Sequence, residues 1–423
     1  MSKYRIIVYH PAQQHSFKVA AAAKKNGFLQ RFFTAVYDKK GSFAMKLAHL
    51  LVRGSDTVRI GNRISPDLDD SDVMTHYTFL SLAVIVLSRS RKTRKISHFL
   101  DRAIADRYGV KVAKYAVKNN ADAVICFSMN ERTCFEYLQK HAPQIKRIVD
   151  CANAPVAFMK NIYELDMEKT HSNVLMSEAP DFWKRKVSGN ESKGISATQF
   201  FLAPSDFVKK GLEYCGVREN QICLLPYGSN FPVAEKPHAE PGQVRFIYVG
   251  RVSYRKGMHY LLRTFAGLEE QNIQLDVVGA WYDDSVLYEQ YKNYSNIHFH
   301  GNVLHDKVQE LMMQADVFVF ASLTEGLSLS CVEALSCGLP VICSRNAGAN
   351  DLITDGCNGF SFEYDDVSAL EKYVLYFCEN KHLIPRFSAN ALETAKQYTW
   401  EEYQKRQNAI LRTILEDDGE SYQ

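Results

Sequence analysis

The fold of the second half of the chain is decided by the stretch SLTEGLSLSCVEALSCGLPVICS, residues 322–344. The apolar run VFVFA at 317–321 precedes it and predicts a strand. A polar loop, a short helical segment, a glycine and a proline then lead to a second apolar run, VICS at 341–344. Two short apolar runs joined through a helix are typical of parallel strands, so this stretch predicts a βαβ unit.

The same alternation continues on both sides of this unit. Residues 307–316, KVQELMMQAD, carry apolar side chains at the spacing of one helix face. Further strand-like runs of the second half are FIYV at 246–249, LDVV at 275–278, IHF at 297–299 and FSFE at 360–363. Short apolar strands separated by helices indicate a parallel sheet that helices cover on both faces.

The first half repeats the pattern less clearly. Its strand-like runs are RIIVY at 5–9, DAVICF at 122–127, RIVD at 147–150 and FFLA at 200–203, whereas residues 40–110 are ambiguous. Between the halves, Pro232, Pro237 and Pro241 lie close together without periodicity. Because proline interrupts both helices and sheets, this segment is predicted to be a linker.

We therefore predict an α/β protein with two doubly wound, Rossmann-like domains that face a central cleft. The first domain is expected at residues 1–228, the linker at 229–242 and the second domain at 243–397. Residues 398–423 are expected to form a helix that packs back on the first domain, followed by an acidic tail. Ligands of doubly wound sheets bind at the carboxyl ends of the strands, so the cleft is the expected binding site.

Length and composition exclude several classes of protein. The 423 residues are 46% hydrophobic and 23% charged, which is close to a globular average and unlike a disordered or fibrous chain. The longest apolar run, at 79–87, has nine residues, whereas a membrane-spanning helix needs about 20. The N-terminus lacks the apolar stretch of a secretory signal, and the ten cysteines form no CxxC pair. We expect reduced thiols and a cytoplasmic protein, or one attached to a membrane from the cytosolic side.

The net charge of +3 hides an uneven distribution. Residues 1–150 carry 26 Lys and Arg against 12 Asp and Glu, whereas the second half is acidic. The densest basic patch, at 89–95, directly follows the apolar run FLSLAVIVL. An apolar segment beside arginine and lysine suits the surface of an anionic bilayer. The alternatives are a buried element with a solvated basic face, and nucleic acid; no nucleic-acid motif accompanies the patch, so we expect no such partner.

The first motif that carries chemistry is YVGRVSYRKGMHYLL, from Tyr248. A strand ends at Gly250, and Arg251 and Lys256 then precede a helical pattern. Two cations beside a helix N-terminus fit a diphosphate, although a solvated basic turn is the alternative reading. The spacing is neither that of a Walker A loop nor that of the GxGxxG fingerprint of dinucleotide-binding proteins.

The second motif begins at Ser322 and contains two carboxylates eight residues apart, Glu325 and Glu333. If the first precedes the helix and the second lies inside it, both reach one ligand at the helix N-terminus. Carboxylates bind sugar hydroxyls, and the backbone N–H groups of Leu327, Ser328 and Leu329 are expected to point at phosphate. The alternative is a carboxylate that interacts with the helix dipole and a solvated Glu333.

The two motifs, in this order and about 75 residues apart, resemble the donor site of family 4 retaining glycosyltransferases, which have the GT-B fold. Three other segments resemble the same family: FLAPSDFVKKGLEYCGV with ICLLPYGSN, NAGANDLITDGCNGFSF, and YTWEEYQKRQNAIL. The resemblance covers roughly residues 199–410 and is weak before about 120. It is specific for the fold and for a nucleotide-sugar donor, and it leaves the sugar open.

The resemblance implies a role for each matching residue. Arg251 and Lys256, with Gly250 beside them, hold the donor diphosphate and stabilise the leaving nucleotide. Glu325 contacts the transferred sugar, with the donor-binding Gly326 beside it, and Glu333 holds the ribose hydroxyls. Fixed cations and helix N–H groups stabilise the charge that develops on a departing diphosphate. Transfer is expected to retain the anomeric configuration and to need no cofactor and no metal ion.

Two departures from the family pattern concern the first domain. The glycine-rich turn after the first strand is replaced by HPAQQHSFK, in which His15 either lines the cleft or caps a helix. The family histidine near the transferred sugar is missing from RIVDCANAPVAF. Asp150 and Asn153 of this stretch are the candidates for contact with the acceptor or the sugar.

The sequence therefore predicts a retaining glycosyltransferase that uses a nucleoside-diphosphate sugar. The expected acceptor is a lipid-linked or polysaccharide-precursor glycan, with polysaccharide or glycoconjugate assembly as the setting. A nucleotide-sugar 2-epimerase and a nucleotide-sugar-binding homologue without catalysis are the alternatives. An epimerase turns over donor without acceptor, and a binding protein yields no product.

Overall fold

The computed structural model describes residues 4–12, 15–39, 42, 45, 63–88, 93–178, 180, 183–234, 242–281 and 286–416. Within these residues the chain forms two separate parallel sheets. The first has seven strands in the order β3-β2-β1-β4-β5-β6-β7. The second has six strands in the order β10-β9-β8-β11-β12-β13. Both orders are those of doubly wound α/β domains, which confirms the predicted fold class.

The first domain is built on buried apolar strands. They are β1 Ile6–Tyr9, β2 Leu29–Thr34, β3 Val73–Thr75, β4 Ala123–Phe127, β5 Lys146–Asp150, β6 Phe200–Ala203 and β7 Ile222–Leu224. Its helices are α1 Ser16–Lys25, α2 Thr78–Leu87, α3 Arg94–Lys118, α4 Arg132–His141, α5 Val156–Thr170, α6 Val174–Glu178, α7 Arg185–Ala197 and α8 Asp206–Tyr214. The central strands are buried along their whole length, as expected for a sheet covered on both faces.

The second domain repeats this arrangement. Its strands are β8 Val244–Val249, β9 Ile273–Val278, β10 Ile297–Gly301, β11 Val317–Phe320, β12 Val341–Ser344 and β13 Gly359–Phe362. Its helices are α9 Met258–Gly267, α10 Val286–Tyr291, α11 His305–Gln314, α12 Leu329–Ser336, α13 Val367–Glu379 and α14 Ile384–Ala395. A last helix, α15 Trp400–Glu416, follows them.

The strand order reverses direction between β1 and β4 in the first sheet and between β8 and β11 in the second. At such a switch point the loops after the two neighbouring strands diverge and leave a crevice at the carboxyl ends. In the second domain these loops contain Gly250 to Lys256 and Glu325 to Ser328, which are the two sequence motifs. The topology therefore brings both motifs to one crevice.

The apolar run at 79–87 forms helix α2, in which no residue is buried. Leu82 and Ile85 pack partly against the core, whereas Phe79, Leu80 and Val86 are more than half exposed. This differs from the alternative reading of the run as a buried element. The basic residues Arg89, Arg91 and Lys92 that follow it lie outside the described residues.

The chain passes between the domains twice, and the two passages lie against each other. The N–H of Ser229 donates to the carbonyl oxygen of Tyr398 (2.8 Å). Gly228 lies against the backbone of Trp400 so closely that a Cβ atom would overlap it. Helix α15 then packs on α1 of the first domain. Residues 235–241 of the predicted linker lie outside the described part of the chain.

Hydrogen bonds between buried side chains hold the two domains together on the other side of the cleft. The Tyr163 hydroxyl lies 2.6 Å from the Thr324 hydroxyl. The Tyr260 hydroxyl donates to the carboxylate of Asp166 at 2.6 Å. Since helix α5 supplies Tyr163 and Asp166, this helix fixes the position of the first domain against the loops of the second.

Gly228 generates a prediction about stability. Gly228→Ala forces a methyl group into the Trp400 backbone, and we expect a loss of about 1–3 kcal/mol in the free energy of unfolding. Urea denaturation followed by circular dichroism measures it. The matched control is Gly267→Ala, at the end of α9, where an added Cβ meets nothing within 4 Å. Equal stability of the two variants would contradict the close packing of the two passages.

Candidate functional site

Two glycines shape the loop that follows β8. A Cβ atom on Gly250 would lie 2.7 Å from the buried Tyr248 hydroxyl, which itself donates to the carbonyl oxygen of Arg251 (2.8 Å). Gly257 has φ +65°, and a Cβ atom there would overlap the carbonyl oxygen of Ala321. The loop therefore turns tightly and lies directly on the end of β11.

Lys256, at the end of this loop, forms an ion pair with Glu325 of the neighbouring loop. Each side chain is 17% exposed, so the pair is mostly buried but accessible from the cleft. Burial, together with the positive charges of Arg255 and Arg251, lowers the pKa of Lys256 to about 7. Cys331 acts in the opposite direction, because a negative charge beside an ammonium group favours its protonated form. A further anion beside Lys256 would act in the same direction.

Arg251 lies on the same loop and is exposed. Its positive charge reaches Lys256, as the lowered pKa of that residue shows. The structure thus brings together the predicted cations Arg251 and Lys256 and the predicted carboxylate Glu325. Cations and a carboxylate at the carboxyl ends of neighbouring strands are groups that can bind a phosphate and a hydroxyl, respectively.

Glu178 of the first domain holds the same loop from the opposite side. Its two carboxylate oxygens accept hydrogen bonds from the N–H groups of Tyr254 (2.9 Å) and Arg255 (3.0 Å). These N–H groups open the short turn that precedes α9, where a carboxylate is favourable. Glu178 was not a candidate from the sequence, because a contact to backbone N–H groups leaves no motif in the partner segment.

The second motif positions its helix as expected, with one correction. Ser328 is the N-cap of α12, and its side chain accepts from the N–H of Cys331 (3.4 Å). The predicted contact of the Ser328 N–H with phosphate is wrong, because this N–H donates to the carbonyl oxygen of Ala347 (3.1 Å). For Leu327 and Leu329, the described residues offer no hydrogen-bond partner to the N–H group. The N–H groups of Leu327 and Leu329 therefore stay candidates for the predicted contact with phosphate.

Glu333 lies one turn inside α12 and is 7% exposed. Its Oε1 accepts a hydrogen bond from the side-chain amide of Asn230 (2.9 Å). The amide oxygen of Asn230 in turn accepts from the indole N–H of Trp400 (3.1 Å). The pKa of Glu333 is raised because the side chain is buried. The hydrogen bond from Asn230 and the charge of the nearby His305 reduce this shift. Glu333 is therefore a fixed carboxylate at the helix, not a solvated side chain.

In the first domain, His15 and Asp150 lie together at the carboxyl ends of β1 and β5. The Nε2 of His15 is 2.8 Å from Oδ1 of Asp150, and the Tyr227 hydroxyl donates to the same oxygen (3.2 Å). His15 occupies the N-cap position of α1, but its side chain makes no capping hydrogen bond. The alternative of simple capping or exposure is therefore wrong. The pair with Asp150 explains why this histidine is mostly buried.

Asn153 borders a cavity of about 260 Å³ at the carboxyl ends of β4 and β5. The polar part of its lining comes from Ser128, Asn130, Glu131, Asn153, Glu191 and Thr198. Gly326 of the second domain lies so close to this loop that an added Cβ atom would overlap the carbonyl oxygen of Ala152. The cavity is therefore next to the loop that carries Glu325.

Glu131 and Glu191 of this cavity are buried carboxylates. Burial raises the pKa of Glu131 to about 7, and the charge of Glu191 contributes to the shift. Both oxygens of Glu191 accept from the N–H of Val156 (2.8 and 2.9 Å), at the start of α5. Neither glutamate was a candidate at the level of the sequence, because nothing in the local pattern distinguishes them from solvated helix residues.

Within the described residues, no group of three or more His, Cys, Asp or Glu side chains has an arrangement that would hold a metal ion. Asp366 of the predicted surface turn caps α13, and Asp365 pairs with Lys169 (2.7 Å). The other predicted turn, at 283–284, lies outside the described residues.

All ten cysteines are free thiols. No helix in the described ranges is both long and apolar enough to cross a membrane.

The buried state of Glu131 predicts a pH-dependent effect on stability. Its pKa is above its ordinary value of 4.5 in the folded protein, so folding favours the neutral form, and this stabilisation is lost as pH rises through about 7. Glu131→Gln should therefore raise the free energy of unfolding more at pH 8 than at pH 5. The rise of the Glu131 pKa from 4.5 to about 7 corresponds to at most about 3 kcal/mol in the free energy of unfolding, at about 1.4 kcal/mol per pKa unit.

Urea denaturation at the two pH values measures this effect. The matched control is Glu136→Gln on the same helix, whose carboxylate is 41% exposed and pairs with Arg132. A gain from Glu131→Gln that is the same at both pH values would contradict the raised pKa.

Comparison with known proteins agrees with this geometry. Residues 232–394 match the family model of glycosyl transferases group 1. An uncharacterized glycosyltransferase of Methanocaldococcus jannaschii is 26% identical over 180 residues, which are 41% of this chain and 46% of that protein. The O-antigen chain mannosyltransferase B of Escherichia coli is 28% identical over 162 residues, 37% of this chain and 42% of that protein. The chain thus spans less than half the length of these curated relatives.

A solved structure is similar to nearly the whole chain. The sucrose-phosphate synthase of Thermosynechococcus elongatus superimposes with a TM-score of 0.66 over 98% of this chain and 100% of that one. Its sequence identity is 15%, so the likeness concerns the fold alone. The resemblance to GT-B glycosyltransferases is confirmed: the chain has the GT-B fold, and its second domain matches the family model of glycosyl transferases group 1.

Proposed function

We propose that the protein is a retaining glycosyltransferase that moves a sugar from a nucleoside-diphosphate sugar to a glycan acceptor. The observation that carries this proposal is the ion pair of Lys256 and Glu325 at the switch point of the second sheet, with Arg251 beside it. Lys256 is expected to hold the diphosphate and Glu325 to contact the sugar, and the ion pair brings these two side chains together. The subfamily, family 4, is part of the proposal.

The four side chains of the donor site suit the parts of such a substrate. Arg251 and Lys256 supply positive charge for the diphosphate. Glu325 lies beside Lys256, where we expect the sugar that is attached to the diphosphate. Glu333, fixed by Asn230, presents a carboxylate to the two ribose hydroxyls. The sugar, the ribose and the phosphates of one donor are thus each matched by a different residue.

The chemistry follows from where charge develops. When the bond between the anomeric carbon and the diphosphate breaks, negative charge accumulates on the leaving phosphate. A buried ammonium that is already in place stabilises this charge without reorganising solvent. Lys256 is such a group. Because burial and the neighbouring arginines lower its pKa to about 7, the negative charge of an arriving phosphate further favours its protonated form. We propose that this stabilisation needs no metal ion and that the anomeric configuration is retained.

The donor site generates the main functional prediction. Arg251→Ala and Lys256→Ala should each raise the barrier to transfer by about 2–4 kcal/mol, because each removes a charge that stabilises the leaving diphosphate. Transfer is measured as kcat/KM with UDP- and GDP-sugars, in the presence of EDTA. The matched control is Lys307→Ala, an exposed lysine of α11 that pairs with Glu310. Full activity of Lys256→Ala would contradict the proposal, and so would loss of activity on addition of EDTA.

The same assay separates the alternatives. Product formed only when acceptor is present supports the transferase. Conversion of the donor sugar without acceptor indicates a nucleotide-sugar 2-epimerase. Nucleotide binding without turnover indicates a binding protein that has no catalytic activity.

We also propose that the first domain contacts an anionic membrane surface, where a lipid-linked acceptor would be found. Helix α2 buries none of its residues, and Phe99 at the start of α3 is 73% exposed. Exposed apolar side chains of this kind are costly in water unless a partner covers them. The basic segment at 89–95 joins these two helices, so apolar and positive groups occur together.

Vesicle flotation tests the membrane contact. The protein should float with vesicles that contain phosphatidylglycerol and not with pure phosphatidylcholine. Neutralising Arg91, Lys92, Arg94 and Lys95 should abolish most of this binding, at about 1 kcal/mol per basic residue. The matched control neutralises four exposed lysines of the second domain: Lys292, Lys307, Lys372 and Lys396. Vesicle binding that is absent, or equal in both variants, would contradict the proposal.

A further inference from the structure

Asn230 joins the carboxylate expected to bind the donor ribose to the C-terminal helix. Its side-chain amide nitrogen donates to Oε1 of Glu333 at 2.9 Å. Its amide oxygen accepts from the indole N–H of Trp400 at 3.1 Å. Glu333 belongs to the second domain, whereas Trp400 begins helix α15, which packs on α1 of the first domain. One side chain of the segment between the domains therefore contacts both parts.

The two partners leave the amide of Asn230 only one orientation. An indole N–H can only donate a hydrogen bond, and an ionised carboxylate can only accept one. The amide oxygen must therefore face Trp400, and the NH₂ group must face Glu333. If the amide turned over, its oxygen would face a carboxylate oxygen and its NH₂ group would face the indole N–H. Trp400 thus keeps a hydrogen-bond donor directed at Glu333.

Asn230 needs this second contact because it is exposed. Water competes for side-chain hydrogen bonds at the surface, so a single bond holds the amide only weakly in one place. Glu333, in contrast, is buried, and burial disfavours its charged form. The hydrogen bond from Asn230 favours the ionised carboxylate, as does the charge of His305. This is the form that accepts hydrogen bonds from two ribose hydroxyls.

The backbone on both sides of Asn230 is held in place. Ser229 forms a β-bridge with Thr399 of the second passage between the domains. Phe231 is buried, and the centroid of its ring lies 4.5 Å from that of His305 in the second domain. The N–H of Phe231 also donates to the side-chain oxygen of Ser229 (3.0 Å). The amide of Asn230 is thus presented from a fixed backbone position.

Trp400 is itself positioned by the first domain. Its ring stacks on that of Tyr227 with the centroids 6.3 Å apart, and the ammonium of Lys18 in α1 lies 5.6 Å from the ring centroid. The hydroxyl of Tyr227 donates to Asp150, at the carboxyl end of β5 (3.2 Å). Contacts therefore run from the first domain through Trp400 and Asn230 to the expected ribose site.

We propose that Asn230 is a positioning residue for the donor: it holds the carboxylate of Glu333 where the two ribose hydroxyls meet it, and Trp400 holds Asn230. Recognition of the ribose then depends on a residue that lies between the domains, outside both donor-site motifs. The inference rests on the proposed function, because it requires that Glu333 binds the ribose of a nucleoside diphosphate.

Isothermal titration calorimetry with the full chain tests this inference. The probes are UDP or GDP, whichever the wild type binds more tightly, and the 2′,3′-dideoxy form of the same nucleotide. Both probes carry the same base and phosphates, so they differ only in the hydroxyls that Glu333 is expected to bind. The wild type should prefer the ribose form at least about tenfold, because the dideoxy form cannot donate to an ionised carboxylate.

Three variants assign this preference to Asn230. Asn230→Leu removes both hydrogen bonds at a similar side-chain volume. Affinity for the ribose form should fall at least about fivefold, whereas affinity for the dideoxy form should change by less than about twofold. Asn230→Asp keeps an acceptor for Trp400 but turns a carboxylate toward Glu333, so it should lose the preference too. Trp400→Phe keeps an aromatic ring without the N–H and should lose part of the preference.

The matched control is Asn26→Leu. Asn26 also contacts helix α15, where it donates to the carbonyl oxygen of Gln404 (3.3 Å), and it belongs to neither donor-site motif. This variant should bind both nucleotides as the wild type does.

The possible results separate the inference from the proposed function. A preference for ribose that is unchanged in both Asn230→Leu and Asn230→Asp would overturn the inference and leave the proposed function intact. Equal weakening of both nucleotides would also overturn it, because a general disturbance of the fold does not distinguish them. A wild type that binds neither nucleotide, or binds the ribose and dideoxy forms equally, would contradict the proposed function and the inference with it.

Discussion

The contact between the Lys256 ammonium and the Glu325 carboxylate is the interaction on which the candidate site depends. The two residues belong to loops that are about 70 residues apart in the chain and that meet because β8 and β11 are neighbours at the switch point. Gly257 allows one loop to lie on the end of β11, and the N–H of Glu325 donates to the carbonyl oxygen of Asn346 (2.9 Å). The pair is therefore fixed by the backbone of the second domain before any ligand binds.

The first domain acts on this pair through the backbone as well. Glu178 holds the loop that carries Lys256, and the carbonyl oxygen of Ala152 lies against Gly326, next to Glu325. On the other side, Asn230 joins Glu333 to Trp400, at the point where the chain passes between the domains. The loop of Lys256 is thus attached to the first domain, and Glu333 is attached to the segments that connect the domains. A movement of one domain against the other would therefore change both parts of the donor site. Binding of a donor and closure of the cleft are expected to favour each other for this reason.

Much of the fold was predictable, because buried parallel strands have a strong sequence signature. The runs at 200–203 and 341–344 coincide with β6 and β12, and the others agree within about two residues. The strands β3 and β7 were missed because each has three residues and lies at an edge of the sheet, and β2 was missed because its first half is only partly buried. The two motifs of the second domain were recognisable because glycines, cations and carboxylates are all local in sequence.

The remaining features depend on contacts that no local pattern records. Glu178 binds N–H groups 76 and 77 residues away, and any carboxylate at that place would serve. Asn230 lies in a proline-rich segment that predicts a linker, yet its side chain holds Glu333. The pairing of His15 with Asp150 depends on the carboxyl ends of β1 and β5, which lie on either side of β4, and the occupied N–H of Ser328 depends on the loop after β12. Tertiary structure therefore decides which of the predicted groups a ligand meets.

The most direct measurement is a crystal structure of the protein with a nucleoside diphosphate, UDP or GDP, whichever raises the melting temperature more. We predict phosphate oxygens within hydrogen-bond distance of Arg251 and Lys256, at the N-terminus of α12, and ribose hydroxyls on the carboxylate of Glu333. A nucleotide bound elsewhere, or one whose phosphates leave Lys256 in contact with Glu325 alone, would contradict it.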